Sequence, residues 1–177
     1  AFLVRGINVG GRHKVVMEEF CHELKELGMS NVSSYINSGN FFFDSSLMKV
    51  ELLLVLERFL NKTYPFIKVF SLFTLEDYQN EVASLPKWWE DDFYRKDVLL
   101  YTERLDKNEM RNVIESLELG DEIIHLGQLG IYWGKFDKSS YNQTAYHKKL
   151  LKASFYPYIT IRNARTFSKI GHFLRMK

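Results

Sequence analysis

"VSSYINSGNFFF", Val32–Phe43, is the stretch on which the fold turns. Val32 to Ile36 and Phe41 to Phe43 are rich in β-branched and aromatic residues, and "NSGN" between them is turn chemistry. Together they predict a β-hairpin. Upstream, Phe2-Leu3-Val4 reads as a short strand. Met17 to Gly28 then carries Met17, Phe20, Cys21, Leu24 and Leu27 at three-and-four spacing, a helix ended by Gly28. Downstream, Leu47 to Leu60 predicts a second helix capped by Ser45 or Ser46, and Phe66 to Phe73 a strand. The order is strand, helix, strand, strand, helix, strand, the split-βαβ arrangement of ferredoxin-like units.

The same order recurs in the second half. Thr74-Leu75-Glu76-Asp77 is a capping signal, opening a helix with Leu75, Tyr78, Val82 and Leu85 on one side and Pro86 at its end. Past the aromatic connector "KWWEDDFYRK", Asp97 to Tyr101 predicts a strand, and Asp106 caps a helix bearing Met110, Val113, Ile114 and Leu117. Glu122–Leu126 and Ile131–Phe136 form a hairpin around "GQLG". Asn142 to Lys152 predicts a helix, Tyr158 to Ile161 a strand, and Asn163 the cap of a last helix carrying Phe167, Ile170 and Leu174. The predicted class is α+β: two tandem βαββαβ units joined by a helix, with a C-terminal helix. Residues 1–84 form the first ferredoxin-like domain with the joining helix. Residues 85–177 form the second α+β domain with a basic C-terminal segment. The halves share a pattern, not letters.

Composition sets the bounds. With 46% hydrophobic residues in 177, the chain can bury one large core or two small ones. The longest aliphatic run, Leu52–Leu56, is far short of the ~20 residues a membrane helix needs. No basic-then-apolar leader opens the chain, and its single cysteine, Cys21, allows no internal disulfide. A cytoplasmic protein is expected. Net charge +2 conceals a split: residues 1–134 hold 14 basic against 21 acidic side chains, residues 135–177 ten basic against one, Asp137. Such a split favours a polyanionic partner, unless the basic tail packs on the acidic body.

"RGINVGG", Arg5–Gly11, follows the first strand. In a split-βαβ unit strands one and two point the same way, which brings this loop beside the "NSGN" tip. Gly6, Gly10 and Gly11 permit positive φ and leave amides uncovered, and consecutive amides can hold an anion. A helix beginning near Val15 would add its positive end. Arg5 offers a planar fork for phosphate or carboxylate, and Lys14 a mobile charge. The competing reading is a plain turn, with Arg5 bridged to an acid such as Asp44. No phosphate-loop or dinucleotide fingerprint is present.

"FLVRGINVGG", then "ELGMSNVSSYINSGNFFFDS" and finally "IRNARTFSKI" resemble the bacterial family catalogued as domain of unknown function 1697. The match is specific over residues 2–44, moderate at 161–170 and weak between. The resemblance implies ferredoxin-like and mixed α/β parts, and no activity. Positions that match its motif are Arg5, Gly6, Asn8, Gly10, Gly11, Tyr35, Ser38, Gly39, Asn40, Arg162, Asn163 and Thr166. Asn37 replaces its usual glutamine and Ala164 its usual tryptophan.

Other chemistry is thin. Cys21 and His22 point about 100° apart on a helix, and Cys21 lies on the apolar stripe. The five histidines show no metal spacing, so neither a metal nor a cofactor is expected. Ser38 sits in no nucleophile elbow. "SGNFFFDS" is faintly similar to the aromatic third strand of RNA-recognition folds, a reading that needs some of its phenylalanines exposed. Trp88, Trp89, Phe93 and Tyr94 either plug the gap between halves or present a stacking platform. On the last helix Arg165, Lys169 and His172 make a basic stripe. The expected binding residues are Arg5, Gly6, Asn8, Gly10, Gly11, Lys14, Ser38, Gly39, Asn40, Arg162, Asn163 and Arg165. Three functions stay open: a non-catalytic binding protein for a phosphorylated ligand or nucleic acid, an enzyme with its pocket at the same edge, or an assembly module.

Overall fold

The computed structural model describes residues 1–175. Eight strands and six helices follow one another: β1 (Phe2–Val4), α1 (Met17–Glu26), β2 (Ser30–Tyr35), β3 (Asn40–Asp44), α2 (Lys49–Thr63), β4 (Phe70–Leu72), α3 (Leu75–Ser84), β5 (Arg95–Tyr101), α4 (Lys107–Glu115), β6 (Glu122–Leu126), β7 (Gly130–Lys135), α5 (Ala145–Lys148), β8 (Ile159–Asn163) and α6 (Ala164–Arg175). They make two antiparallel sheets of the same order, β2-β3-β1-β4 and β6-β7-β5-β8. Phe2 lies opposite Phe41 and Leu72, and Leu99 opposite Ile131 and Ile161. Both halves thus have the ferredoxin-like βαββαβ topology, and the C-terminal helix is in place.

Period-two alternation along the central strands sorts their side chains into separate cores. Phe2, Val4 and Phe41 pack with Phe20 of α1 and Leu56 of α2. Leu99, Ile131 and Trp133 pack with Met110 and Ile114 of α4. The residues between them, Leu3 and Phe42 of one sheet and Val98, Leu100 and Tyr132 of the other, share a third core with Tyr78 of α3 and Phe167 and Ile170 of α6. An isolated ferredoxin-like sheet leaves one face to water. Here α3 and α6 cover that face on both sheets. The edge strands β4 and β8 come together between the sheets, where the Ser71 and Thr160 hydroxyls bond at 2.8 Å in a buried contact.

Three elements differ from their sequence expectation. The strand expected over Phe66–Phe73 pairs only at Phe70–Leu72, because its partner β1 offers three residues before Gly6 turns at φ +79°. The first residue of α2 is Lys49, and Ser45 instead receives the Leu47 amide at 3.2 Å. The helix expected over Asn142–Lys152 is broken into α5 and a 3-10 turn, Leu150–Lys152. Its start is set by buried Glu122, whose carboxylate accepts the Ala145 and Tyr146 amides at 2.6 and 3.0 Å, with Thr144 taking that of His147. The caps at Thr74, Asp106 and Asn163 are formed by their side-chain oxygens.

The stacking reading of the hairpin is corrected. Phe41 and Phe42 are wholly buried, and half-buried Phe43 packs against the first core. Phe41 and Phe42 thus leave no face for a base, and Phe43 is exposed only in part. Trp88 and Trp89 are half-buried against the shared core, Trp89 meeting the Tyr132 ring edge-on at 5.0 Å. Among the described residues no helix is long and apolar enough to cross a membrane.

Candidate functional site

The end of β1, the β2–β3 tip and the segment before β8 meet around a groove of about 350 Å³. Arg5, Gly6, Ile7 and Val9 form one side, Ser38 the hairpin side, and Tyr156, Ile161 and Arg162 the side from the second half. The loop is shaped from within. Gly10 and Gly11, at φ +60° and +74°, are the corner of a two-residue turn closed by the Arg12 amide on the Val9 carbonyl at 3.1 Å. Positive φ at both corner residues is the type I′ signature. Asn8, itself at φ +54°, staples the loop: its amide donates to the Val15 and Asn37 carbonyls at 3.0 Å, and its oxygen accepts the Val15 amide at 2.8 Å.

Gly39 is the closest approach. At φ +78°, any Cβ there would overlap the Val4 side chain, and its carbonyl accepts the Val4 amide at 3.0 Å. Asn40, fully buried, donates to the Tyr35 carbonyl and the Ser38 hydroxyl, both at 3.0 Å. Its oxygen receives Nε of Arg162 at 2.6 Å. The same guanidinium donates through Nη2 to the carbonyls of Val4, Ser38 and Gly39 at 2.9, 2.9 and 3.2 Å, and through Nη1 to that of Ile161 at 2.9 Å. Arg162 is therefore a clasp from β8 onto the first half. Burial pulls its pKa down to about 10, which leaves it charged at neutral pH.

Arg5 reaches the other way. Its Nη1 donates to the Tyr156 and Ile159 carbonyls, the latter at 2.7 Å, and its guanidinium lies 4.4 Å from the centre of the Tyr156 ring. Asp44 accepts from Asn31 at 2.7 Å and not from Arg5. Among the described residues neither Arg5 nor Arg162 has a carboxylate within ion-pair distance. Nε and Nη2 of Arg5 have no protein acceptor among them either.

The sequence-predicted residues divide accordingly. Arg5, Gly6, Ser38 and Arg162 line the groove, while Gly39 and Asn40 lie directly behind it, bonded to Arg162. Asn8, Gly10 and Gly11 build the loop. Lys14 and Arg165 are exposed and outside the lining, and Asn163 caps α6 by accepting the Thr166 amide at 2.8 Å. The helix dipole contributes less than its position promises: α1 starts at Met17, and Glu18 and Glu19 occupy its first turn. Tyr156 and Ile161 were not among the expected residues. Nothing local ties Tyr156 to a loop 151 residues earlier. Among the described residues no group of three His, Cys, Asp or Glu side chains is placed to hold a metal.

The chain is 57% identical to a solved structure, the conserved bacterial protein SP0830 from Streptococcus pneumoniae, over 98% of this chain and 96% of that one, with a TM-score of 0.96. No curated protein matches it. The family model described as "Protein of unknown function (DUF1697)" matches residues 1–132. With its "RGINVGG" and "SGN" turns meeting at one groove, this chain belongs to that family.

Proposed function

We propose that the protein is a non-catalytic binding protein for a phosphorylated ligand, held in the groove between the glycine loop, the hairpin tip and Tyr156. The observation that carries this is a pair of guanidinium groups lining one groove with no carboxylate partner among the described residues. Arg162 places an uncompensated charge in the wall, and Arg5 presents Nε and Nη2, the edge of a fork that matches a phosphate. Positive potential concentrated in a low-dielectric concavity favours an anion there. The Ser38 hydroxyl adds a donor. Among the described residues no carboxylate, imidazole, thiol or amine is part of the lining, and Tyr156 and Ser38 are its only groups besides the arginines that could move a proton, so binding without turnover is the better reading. The exposed Lys148, Lys149, Lys152, Arg165 and Lys169 extend the attraction over the surface. Nucleic acid is the less favoured ligand, because Phe41 and Phe42 of the hairpin are wholly buried and Phe43 is half-buried against the first core.

Calorimetry with inorganic phosphate, sugar phosphates, nucleotides and single-stranded RNA, across salt, tests the reading. A phosphorylated small molecule is expected to bind, more weakly as salt rises. Arg5→Ala should weaken it by about tenfold or more, the worth of a charge-assisted hydrogen bond, and Arg5→Lys should recover only part. Binding by none of them at micromolar protein would remove the proposal, and binding by RNA alone would replace it.

A further inference from the structure

The groove does not end at Tyr156. Beyond that ring lies a second hollow of about 140 Å³, lined by Tyr146, His147, Leu150 and Leu151, with Tyr156 and Ile161 as the wall common to both. We infer that this hollow is the subsite for a single aromatic ring carried by the ligand, so that the ligand class is a monocyclic aromatic phosphate. The inference rests on the anion reading of the adjoining groove.

Three observations point this way. Among the described residues the hollow has no acidic side chain in its lining, and its floor is apolar, with Leu150 buried and Leu151 left 62% exposed at the rim. An apolar cavity of about 150 Å³ accepts one benzene-sized ring, and the hollow, at about 140 Å³, matches that size. The dividing wall joins the two chemistries: Tyr156 carries the Arg5 guanidinium 4.4 Å from its centre, while the same side chain bounds the hollow. A ring in the hollow and an anion on Arg5 would thus share the Tyr156 side chain as their common wall. Tyr146 is held in place behind the hollow, its amide bonded to Glu122 at 3.0 Å and its ring edge-on to Trp133 at 5.2 Å.

The test compares inorganic phosphate, phenyl phosphate and 1-naphthyl phosphate by calorimetry on the whole chain. Phenyl phosphate is expected to bind about tenfold or more tighter than phosphate, the effect of burying one ring, and 1-naphthyl phosphate no tighter than phenyl. Leu151→Ser, at an exposed position, should lower phenyl phosphate affinity about threefold or more and leave phosphate within about twofold, since only one side-chain contact is lost. Arg5→Ala should weaken both. Equal affinity for phosphate and phenyl phosphate would overturn the ring subsite and leave the anion groove standing. Tighter naphthyl than phenyl binding would overturn the monocyclic limit, and no binding by any of the three would sink both readings.

Discussion

Arg162 is worth more to this molecule as a shape than as a charge. Its three nitrogens satisfy four main-chain carbonyls and the Asn40 amide oxygen, an arrangement that needs a planar donor fork. Arg162→Lys keeps the charge and loses the fork. It should destabilise the protein by about 2–3 kcal/mol, because buried carbonyls are left without partners, read as a lower urea midpoint with unchanged slope. Lys135 gives the second residue-scale expectation. Fully buried, it bonds Asp97 at 2.6 Å and lies over the Tyr146 ring. Loss of hydration outweighs Asp97 and lowers its pKa from 10.5 to about 8. The unfolded chain thus holds this proton more tightly than the folded one. The stability it contributes is present above pH 10.5 and lost as pH falls towards 8. Tyr64, Tyr78, Tyr101 and Tyr132 are shifted the opposite way, chiefly by burial. Their contribution is present below pH 10 and lost above it. Stability should therefore rise by about 1–2 kcal/mol from pH 8 to 10. Urea melts across that range check it, and Lys135→Met should flatten the rise.

At the scale of elements, local chemistry and burial share control. Helix starts marked by Thr74, Asp106 and Asn163 are legible because a capping oxygen acts on amides two or three residues away. The strands of the central ladders are legible because alternation along β1, β3, β5 and β7 reports which side chain faces which layer. The helix expected over 142–152 was not legible, since its start is decided by Glu122, twenty-three residues earlier in sequence. That carboxylate also receives Trp133 Nε1 at 2.8 Å. Glu122→Gln turns one oxygen into a donor facing a donor. It should cost about 1–3 kcal/mol and shift the Trp133 fluorescence, with a larger loss of protection at Ala145 and Tyr146 in hydrogen exchange than at α4.

For the whole molecule, the shared core governs behaviour. Phe42 and Leu3 reach it from the first sheet and Val98, Leu100 and Tyr132 from the second, with α6 lying across both. We infer that residues 1–84 and 85–177, distinct as topology, unfold together. Tryptophan fluorescence reports on the second half through Trp133 and on the shared core through Trp88 and Trp89, and not on the first half's own core. Its urea transition should coincide with the loss of hydrogen-exchange protection at Phe2 and Phe41. Separate midpoints would show that the halves are independent.

What the sequence by itself determined is local: two βαββαβ patterns, most of their caps, and two glycine-bearing turns that the topology must bring to one edge. Those follow from periodicity and from hydrogen bonds that span a few residues. The roles inside the groove were settled by tertiary structure alone. Arg162 closes on main-chain carbonyls 123, 124 and 158 residues away, and Arg5 on others 151 and 154 residues away. Contacts from a side chain to a distant backbone leave no periodic mark in sequence, because every residue offers the same carbonyl.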